Sequence, residues 1–202
     1  MAEWAGHSRM RADGRWMLRR ITLAVEGGLL LLAIALGLLF GAPFWAGASF
    51  HAGALLWGAT AGLLLLGLAL LLLEIPSRFS AAIRRDIDPM MGIFRQATPF
   101  DLLAISILAG VGEEAFFRGL LQQAVAGPAG DIAAVLAVSA LFGLAHFLSP
   151  AYALFAAILS IPFGVLYVQS GNIVVPMVAH AVYDYAALHY GLRHWNGRSS
   201  PA

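Results

Sequence analysis

The sequence predicts an all-α fold, a polytopic bundle of about six transmembrane helices. Of the 202 residues, 60% are hydrophobic and only 11% are charged, whereas about 25% of the residues in ordinary soluble domains are charged. Long apolar runs recur between short segments that are rich in Gly, Pro or Arg, and about 20 apolar residues are enough to cross a bilayer as a helix. The pattern therefore indicates one membrane-embedded helical domain.

Composition also excludes some kinds of chemistry. The chain has no cysteine, which excludes a thiol nucleophile, a Cys-ligated metal and any disulfide. The formal net charge is only +1, and the Arg side chains flank apolar runs instead of forming one patch. We therefore expect no binding of nucleic acid.

The N-terminal region begins with a polar, Arg-rich segment, residues 1–20, that we predict to be cytoplasmic. The first span follows at residues 21–44. It is longer than the ~7–15-residue apolar core of a signal peptide, so we expect it to be retained. Glu26 lies close to its cytoplasmic end, where the carboxylate can reach the membrane interface. The second span, residues 52–73, is Leu-rich and uncharged, and a scaffold role is expected for both spans.

The next segment, residues 74–97, has a different character. Charged residues are spread among Ile, Phe and Met, a pattern typical of an amphipathic segment that lies in the membrane interface. We predict this segment on the cytoplasmic side, with a solvated connector as the alternative. Together with the first two spans it forms a predicted accessory region, residues 21–97.

The remaining apolar sequence predicts a four-helix core at residues 98–190. Thr98 is a suitable capping residue and Pro99 suits the first helical position, as at many helix N-termini. Breaks that contain Gly, Pro or Ser separate the later helices. The four predicted spans are residues 99–126, 131–148, 151–168 and 173–190.

The distribution of Arg predicts the topology. All the basic residues are Arg, and they lie before the first span, between the second and third, inside the third, and after the sixth. Loops rich in basic residues remain in the cytoplasm, so we expect both termini to be cytoplasmic, including the polar tail, residues 191–202. The absence of Lys and the six-span core make the bacterial inner membrane the expected location.

Three charged residues interrupt the third span. Glu113, Glu114 and Arg118 lie in an apolar helix, where each charge costs several kcal/mol. Glu114 and Arg118 are spaced i, i+4 and can pair on one face, so we interpret them as a structural pair. Glu113 is rotated about 100° around the helix and has no local partner. We therefore predict that Glu113 is the reactive carboxylate.

The other ionisable residues of the core lie on separate helices. His146 ends the fourth span, and the sixth span carries His180 and Asp184 at i, i+4. Ionisable groups inside a membrane face the interior of the bundle, so we expect these residues to meet Glu113. A carboxylate and an imidazole can deprotonate water, and a second imidazole can bind the oxyanion that forms. Hydrolysis of an amide bond is the chemistry indicated, although a single His in such a helix is more often only a hydrogen-bonding residue.

These residues form three motifs that resemble a known family. Glu-Glu-x-x-x-Arg stands at residues 113–118, Phe-x-x-x-His at 142–146, and His-x-x-x-Asp at 180–184. Their order and spacing are similar to those of the CAAX-protease and bacteriocin-processing (CPBP, or Abi) intramembrane proteases, which include the type II CAAX prenyl endopeptidase. The resemblance covers about residues 99–190.

The resemblance implies a helical membrane protease whose site opens toward the cytoplasm and which acts on a membrane-associated peptide or protein. It implies that Glu113 and His146 activate water, and that His180 and residue 184 stabilise the oxyanion. Well-studied members have Asn at that position, and an ionised Asp cannot donate a hydrogen bond. Asp184 would therefore be protonated or would orient His180. No cofactor is expected.

Two alternatives remain open at this stage. The first is a metal-dependent protease in which Glu113, His146 and His180 bind a divalent ion such as Zn²⁺, with Asp184 as a further candidate ligand. The second is a non-catalytic immunity or scaffold protein with the same fold. Zinc and serine protease motifs of the forms His-Glu-x-x-His and Gly-x-Ser-x-Gly do not occur. The substrate can be a prenylated C-terminus, a leader peptide or another membrane protein.

Overall fold

A computed structural model describes the backbone of residues 2–194 and the side chains of residues 14–194. The regular secondary structure of these residues is helical throughout, which confirms the predicted all-α class. Most of the predicted tail, residues 195–202, lies outside the described residues. The helices are α1 Ala2–Leu39, α2 Ala52–Glu74, α3 Arg78–Phe94, α4 Pro99–Phe116, α5 Gln123–Ala129, α6 Asp131–Ala145, α7 Pro150–Ser170 and α8 Val174–His194.

Three helices of the described chain are long and apolar enough to cross a membrane. They are Gly14–Leu39, which is the apolar part of α1, Ala52–Glu74 and Pro150–Ser170. The apolar helix α6 is shorter, with 15 residues. Charged, His and Tyr side chains lower the hydropathy of α4 and α8. The polytopic helical bundle is therefore confirmed, whereas the count of six spans stays a prediction.

The first span differs from its predicted bounds. Helix α1 ends at Leu39 instead of Phe44, because Gly41 adopts a φ of 66° and Pro43 lacks an N–H donor. A short 3-10 turn, Phe44–Gly47, then leads toward α2. At its other end α1 already includes the Arg-rich segment predicted to precede the membrane.

The connector between the second span and the core contains the amphipathic helix α3. Ser77 and Ser80 form a capping box at its N-terminus, which satisfies backbone donors that would otherwise be free. Ile83 is buried beneath it, and Asp86 accepts a hydrogen bond from Ser149 at the start of α7. The connector is therefore a helix packed on the bundle, as the amphipathic pattern predicts.

Small residues allow the long helices to approach closely. A Cβ atom on Gly110 of α4 would lie 2.7 Å from the carbonyl oxygen of Met177 of α8. On the opposite side of α8, a Cβ on Gly58 of α2 would lie 2.6 Å from the carbonyl oxygen of Val175. Glycine at such positions is typical of membrane helix interfaces. Helix α8 is therefore held between α2 and α4.

Helix α1 also packs directly against α4. A Cβ on Gly112 would lie 2.5 Å from the carbonyl oxygen of Glu26, so the two backbones touch at this point. Arg19 of α1 and the buried Asp101 of α4 form an ion pair at 2.6 Å. The helix assigned from sequence to an accessory region thus contacts the helix that carries the acidic motif. The predicted division between the two regions stays a prediction.

Candidate active site

The acidic motif lies where α4 changes into a π-helical segment, Phe117–Gln122. The backbone N–H of Phe117 is shared between the carbonyl oxygens of Glu113 and Glu114. A π-helical turn widens the helix locally, and such turns are frequent at functional sites. The sequence predicts a regular α-helix through this region, and no residue pattern in it indicates the change.

Glu114 and Arg118 form a completely buried ion pair. Nε of Arg118 donates to Oε2 of Glu114 at 3.1 Å, and both side chains have no exposed surface. Nη2 of Arg118 donates to the carbonyl oxygen of Ser160 at 3.0 Å. The structure therefore places this pair as expected from the i, i+4 spacing, and it links α4 to α7.

Glu114 has a second partner, which the sequence did not indicate. Nδ1 of His180 donates to Oε1 of Glu114 at 2.8 Å, and the imidazole stacks on Phe163 with an interplanar angle of 13°. Nε2 of the same ring lies 3.6 Å from Oδ2 of Asp184. The orientation of His180 is thus fixed on one side by a carboxylate and on the other by an aromatic face.

His146 approaches the same centre from α6. It is the residue that ends this helix, its ring stacks on Phe142 with centroids 4.2 Å apart, and its Nδ1 lies 2.9 Å from the carbonyl oxygen of Phe142. Because a carbonyl can only accept, Nδ1 carries the proton, and Nε2 of the neutral ring has a free lone pair. That lone pair faces Glu113.

Glu113 lies between the two imidazoles. Its Oε1 is 3.7 Å from Nε2 of His146, and its Oε2 is 3.9 Å from Nε2 of His180. Both separations exceed the usual range of about 2.7–3.2 Å for a direct hydrogen bond, and polar groups at such separations are often bridged by water. The structure thus brings together the four residues expected to be catalytic from three different helices.

A cavity of about 340 Å³ lies against this centre. The four residues expected to be catalytic line one part of its wall, and most of the remaining wall is apolar. Leu73 of α2, Met91 of α3 and Phe155 of α7 are among the apolar residues. A site of this form can enclose an extended peptide segment beside the polar groups.

Comparison with known proteins agrees with this geometry. Residues 95–186 match the model of a protein family described as type II CAAX prenyl endopeptidase Rce1-like. This Rce1-like segment, slightly less than half of the chain, is therefore similar to that family. The family resemblance predicted from the three motifs is thereby confirmed, and it supports a CAAX-type intramembrane protease in general. No curated protein and no solved structure matches the chain.

The Rce1-like segment contains every residue of the three motifs, but it does not include α1 or α2. Glu26 therefore lies outside it. We expected Glu26 to reach the membrane interface, whereas the structure places its carboxylate in the wall of the cavity beside Glu113. The reach of Glu26 to the membrane interface stays a prediction, and its place in the cavity wall follows from the close approach of α1 to α4 at Gly112. A lone carboxylate in an apolar span was the signal that could have indicated this position.

The residues of the metal-dependent alternative all lie in the Rce1-like segment. Among the described residues, no group of three or more His, Asp or Glu side chains has a spacing that could hold a metal ion. The alternative with Zn²⁺ on Glu113, His146 and His180 stays a prediction.

Proposed function

We propose that the protein is an intramembrane endopeptidase that hydrolyses a peptide bond of a membrane-associated substrate with a water activated by Glu113 and His146. One observation carries the proposal. The carboxylate of Glu113 faces the imidazoles of His146 and His180 at 3.7 and 3.9 Å, respectively, beside a largely apolar cavity. Hydrolysis of an amide needs a general base on one side of the reacting carbonyl group and a hydrogen-bond donor for the oxyanion on the other.

The nucleophile is a water held between the carboxylate of Glu113 and Nε2 of His146. Because Nδ1 of His146 donates to the carbonyl oxygen of Phe142, Nε2 can accept a hydrogen bond from this water. Glu113 removes one proton as the water oxygen forms a bond to the carbonyl carbon of the substrate. The carbonyl π electrons move to its oxygen, which becomes the oxyanion.

His180 stabilises the oxyanion in this scheme. Its Nδ1 donates to Glu114, so Nε2 can donate to the oxyanion only in the imidazolium form, in which both ring nitrogens carry protons. Asp184 lies 3.6 Å from Nε2 and orients the ring. The tetrahedral intermediate then collapses, the C–N bond breaks, and the proton held by Glu113 passes to the leaving amine.

The surroundings of the site favour a substrate that comes from the membrane. The apolar part of the cavity is lined by α2, α3 and α7, and α3 has the amphipathic character of a helix at the membrane interface. We place the protein in a bacterial inner membrane with both termini in the cytoplasm. CAAX-type processing of a peptide anchored in that membrane is the reaction that we favour.

Replacement of Glu113 by Gln tests the proposal. Gln keeps the size of the side chain but cannot accept a proton, and loss of a general base lowers rates by about 10²–10⁴-fold. Cleavage of a quenched fluorescent CAAX-type peptide by the detergent-purified protein is the measurement. Glu74→Gln is the matched control, because the side chain of Glu74 is 72% exposed at the end of α2. Equal rates for Glu113→Gln and the wild type would overturn the proposal.

A further inference from the structure

Two cavities meet at the catalytic centre. The first contains the residues described above, and the second lies between α1, α4 and the end of α6, where Val25, Leu29 and Phe117 are among its apolar residues. Glu26, Glu113 and His146 line both cavities. Glu26 is the member of this set that the proposed mechanism does not use and that lies outside the matched segment.

The position of Glu26 is fixed by its backbone. A Cβ atom on Gly112 would lie 2.5 Å from the carbonyl oxygen of Glu26. Helices α1 and α4 therefore touch next to Glu113. The ion pair of Arg19 with Asp101 holds the same two helices together at another level. The Glu26 side chain is therefore held at the same position along the helix axes as the catalytic centre.

Both carboxylates leave one oxygen without a partner. Oε2 of Glu26 and Oε2 of Glu113 are enclosed, and neither has a hydrogen-bond donor among the described residues. Nε and Nη2 of the nearby Arg118 bind Glu114 and Ser160, and its Nη1 has no hydrogen bond to either carboxylate oxygen. A buried oxygen without a donor is costly, and both residues line the same two cavities, where a water molecule can supply O–H donors to both carboxylates.

From these observations we infer that Glu26 is a further catalytic residue, which binds and orients the nucleophilic water together with Glu113. The inference rests on the proposed function. Glu113 removes one proton of the water, and the other O–H is shared as a three-centre hydrogen bond between Nε2 of His146 and the carboxylate of Glu26. That second proton stays on the attacking oxygen, so Glu26 changes neither its charge nor its bonds during the step. Its contribution is to aim the lone pair of the water at the carbonyl carbon.

This role makes a specific prediction about stability and activity. A largely buried carboxylate that has no donor from the protein and lies near a second carboxylate does not stabilise the fold. Glu26→Gln should therefore leave the thermal midpoint unchanged or raise it, while kcat for the quenched peptide falls about 10–100-fold, as for loss of one positioned acceptor, and KM changes less than about twofold. A structural role would instead lower the midpoint together with the activity.

The control is Leu29→Ala, which alters the wall of the second cavity without removing an acceptor. It should retain most of the wild-type kcat. Glu113→Gln is measured in parallel, so that the two proposals can fail separately. If Glu113→Gln is inactive and Glu26→Gln has the wild-type kcat, the inference about Glu26 is wrong and the proposed function stands. If Glu113→Gln has the wild-type kcat, the proposed function itself is wrong.

A second measurement needs no substrate. Thermal midpoints of the wild type, Glu26→Gln, Glu113→Gln and the double variant form a double-mutant cycle. If the two carboxylates share one water, the effect of Glu26→Gln on the midpoint in the wild-type protein should differ from its effect in the Glu113→Gln variant. Midpoint shifts that add within error would show that the carboxylates are independent, and this outcome would overturn the inference.

Discussion

Oε1 of Glu114 accepts a hydrogen bond from Nδ1 of His180 at 2.8 Å, between residues 66 positions apart in the chain. The other oxygen of the same carboxylate binds Arg118. Glu114 therefore joins the imidazole that we propose to bind the oxyanion to a buried cation, and the predicted structural pair also contacts His180. The consequences of this link can be tested through each of its members.

Arg118→Met should destabilise the protein strongly. The substitution leaves the fully buried Glu114 without its cation, and removal of one partner from a buried pair costs about 3–5 kcal/mol. Chemical unfolding in detergent measures the change. Arg85→Met is the matched control, because Arg85 is 76% exposed in its ion pair with Asp86, and such surface pairs contribute only about 0–1 kcal/mol. Similar losses for the two variants would contradict the assigned role of Arg118.

Asp184→Asn should keep kcat within about tenfold of the wild type, since Asn preserves the shape of the side chain and adds an amide that can donate to an oxyanion. Asp184→Leu removes the polar group beside Nε2 of His180 and should lower kcat by about 10²-fold or more, the usual size of a lost oxyanion-hole contribution. Steady-state cleavage of the quenched peptide gives both values. If the Asn variant is as inactive as the Leu variant, a negative charge at position 184 is required.

Gly110→Ala should reduce both stability and activity. The new Cβ would lie 2.7 Å from the carbonyl oxygen of Met177, so α4 must move away from α8, and overpacking of this kind costs about 1–3 kcal/mol. The movement separates Glu113 from His180. Thermal midpoint and kcat are the two measurements.

Gly67→Ala provides the comparison for this variant, because a Cβ on Gly67 of α2 has no atom within 4 Å. It should be neutral or slightly stabilising, since Ala favours a helix by about 1 kcal/mol over Gly. Unchanged activity and midpoint in Gly110→Ala would show that the approach of α4 to α8 does not position the site.

The sequence was sufficient for those parts of the structure that depend on local pattern. Long apolar runs predict the helices, because a helix that crosses a bilayer must be apolar. The breaks at Gly, Pro and Ser separate the predicted helices near the observed helix ends. The i, i+4 spacing predicts the proximity of Glu114 and Arg118. Because ionisable groups in membrane helices are expected to share one interior, the sequence also predicts that Glu113, His146 and His180 lie close together. The structure places them close together.

The remaining features depend on how the helices pack. The pairing of Glu114 with His180 requires a particular rotation of α4 relative to α8, which no spacing within one helix specifies. The contribution of Glu26 requires the close approach of α1 to α4 at Gly112, and one carboxylate near a helix end is compatible with either the interface or the interior. The π-helical segment has no distinctive residue pattern.

Whether Glu113 activates water without a metal can be measured as the cleavage rate of the purified protein after exhaustive removal of metal ions. Metal content is checked by elemental analysis, and Glu113→Gln is treated in the same way. The account predicts that the metal-depleted wild type cleaves the peptide at its original rate and that Glu113→Gln does not. Loss of wild-type cleavage on chelation, with recovery when Zn²⁺ is returned, would contradict it.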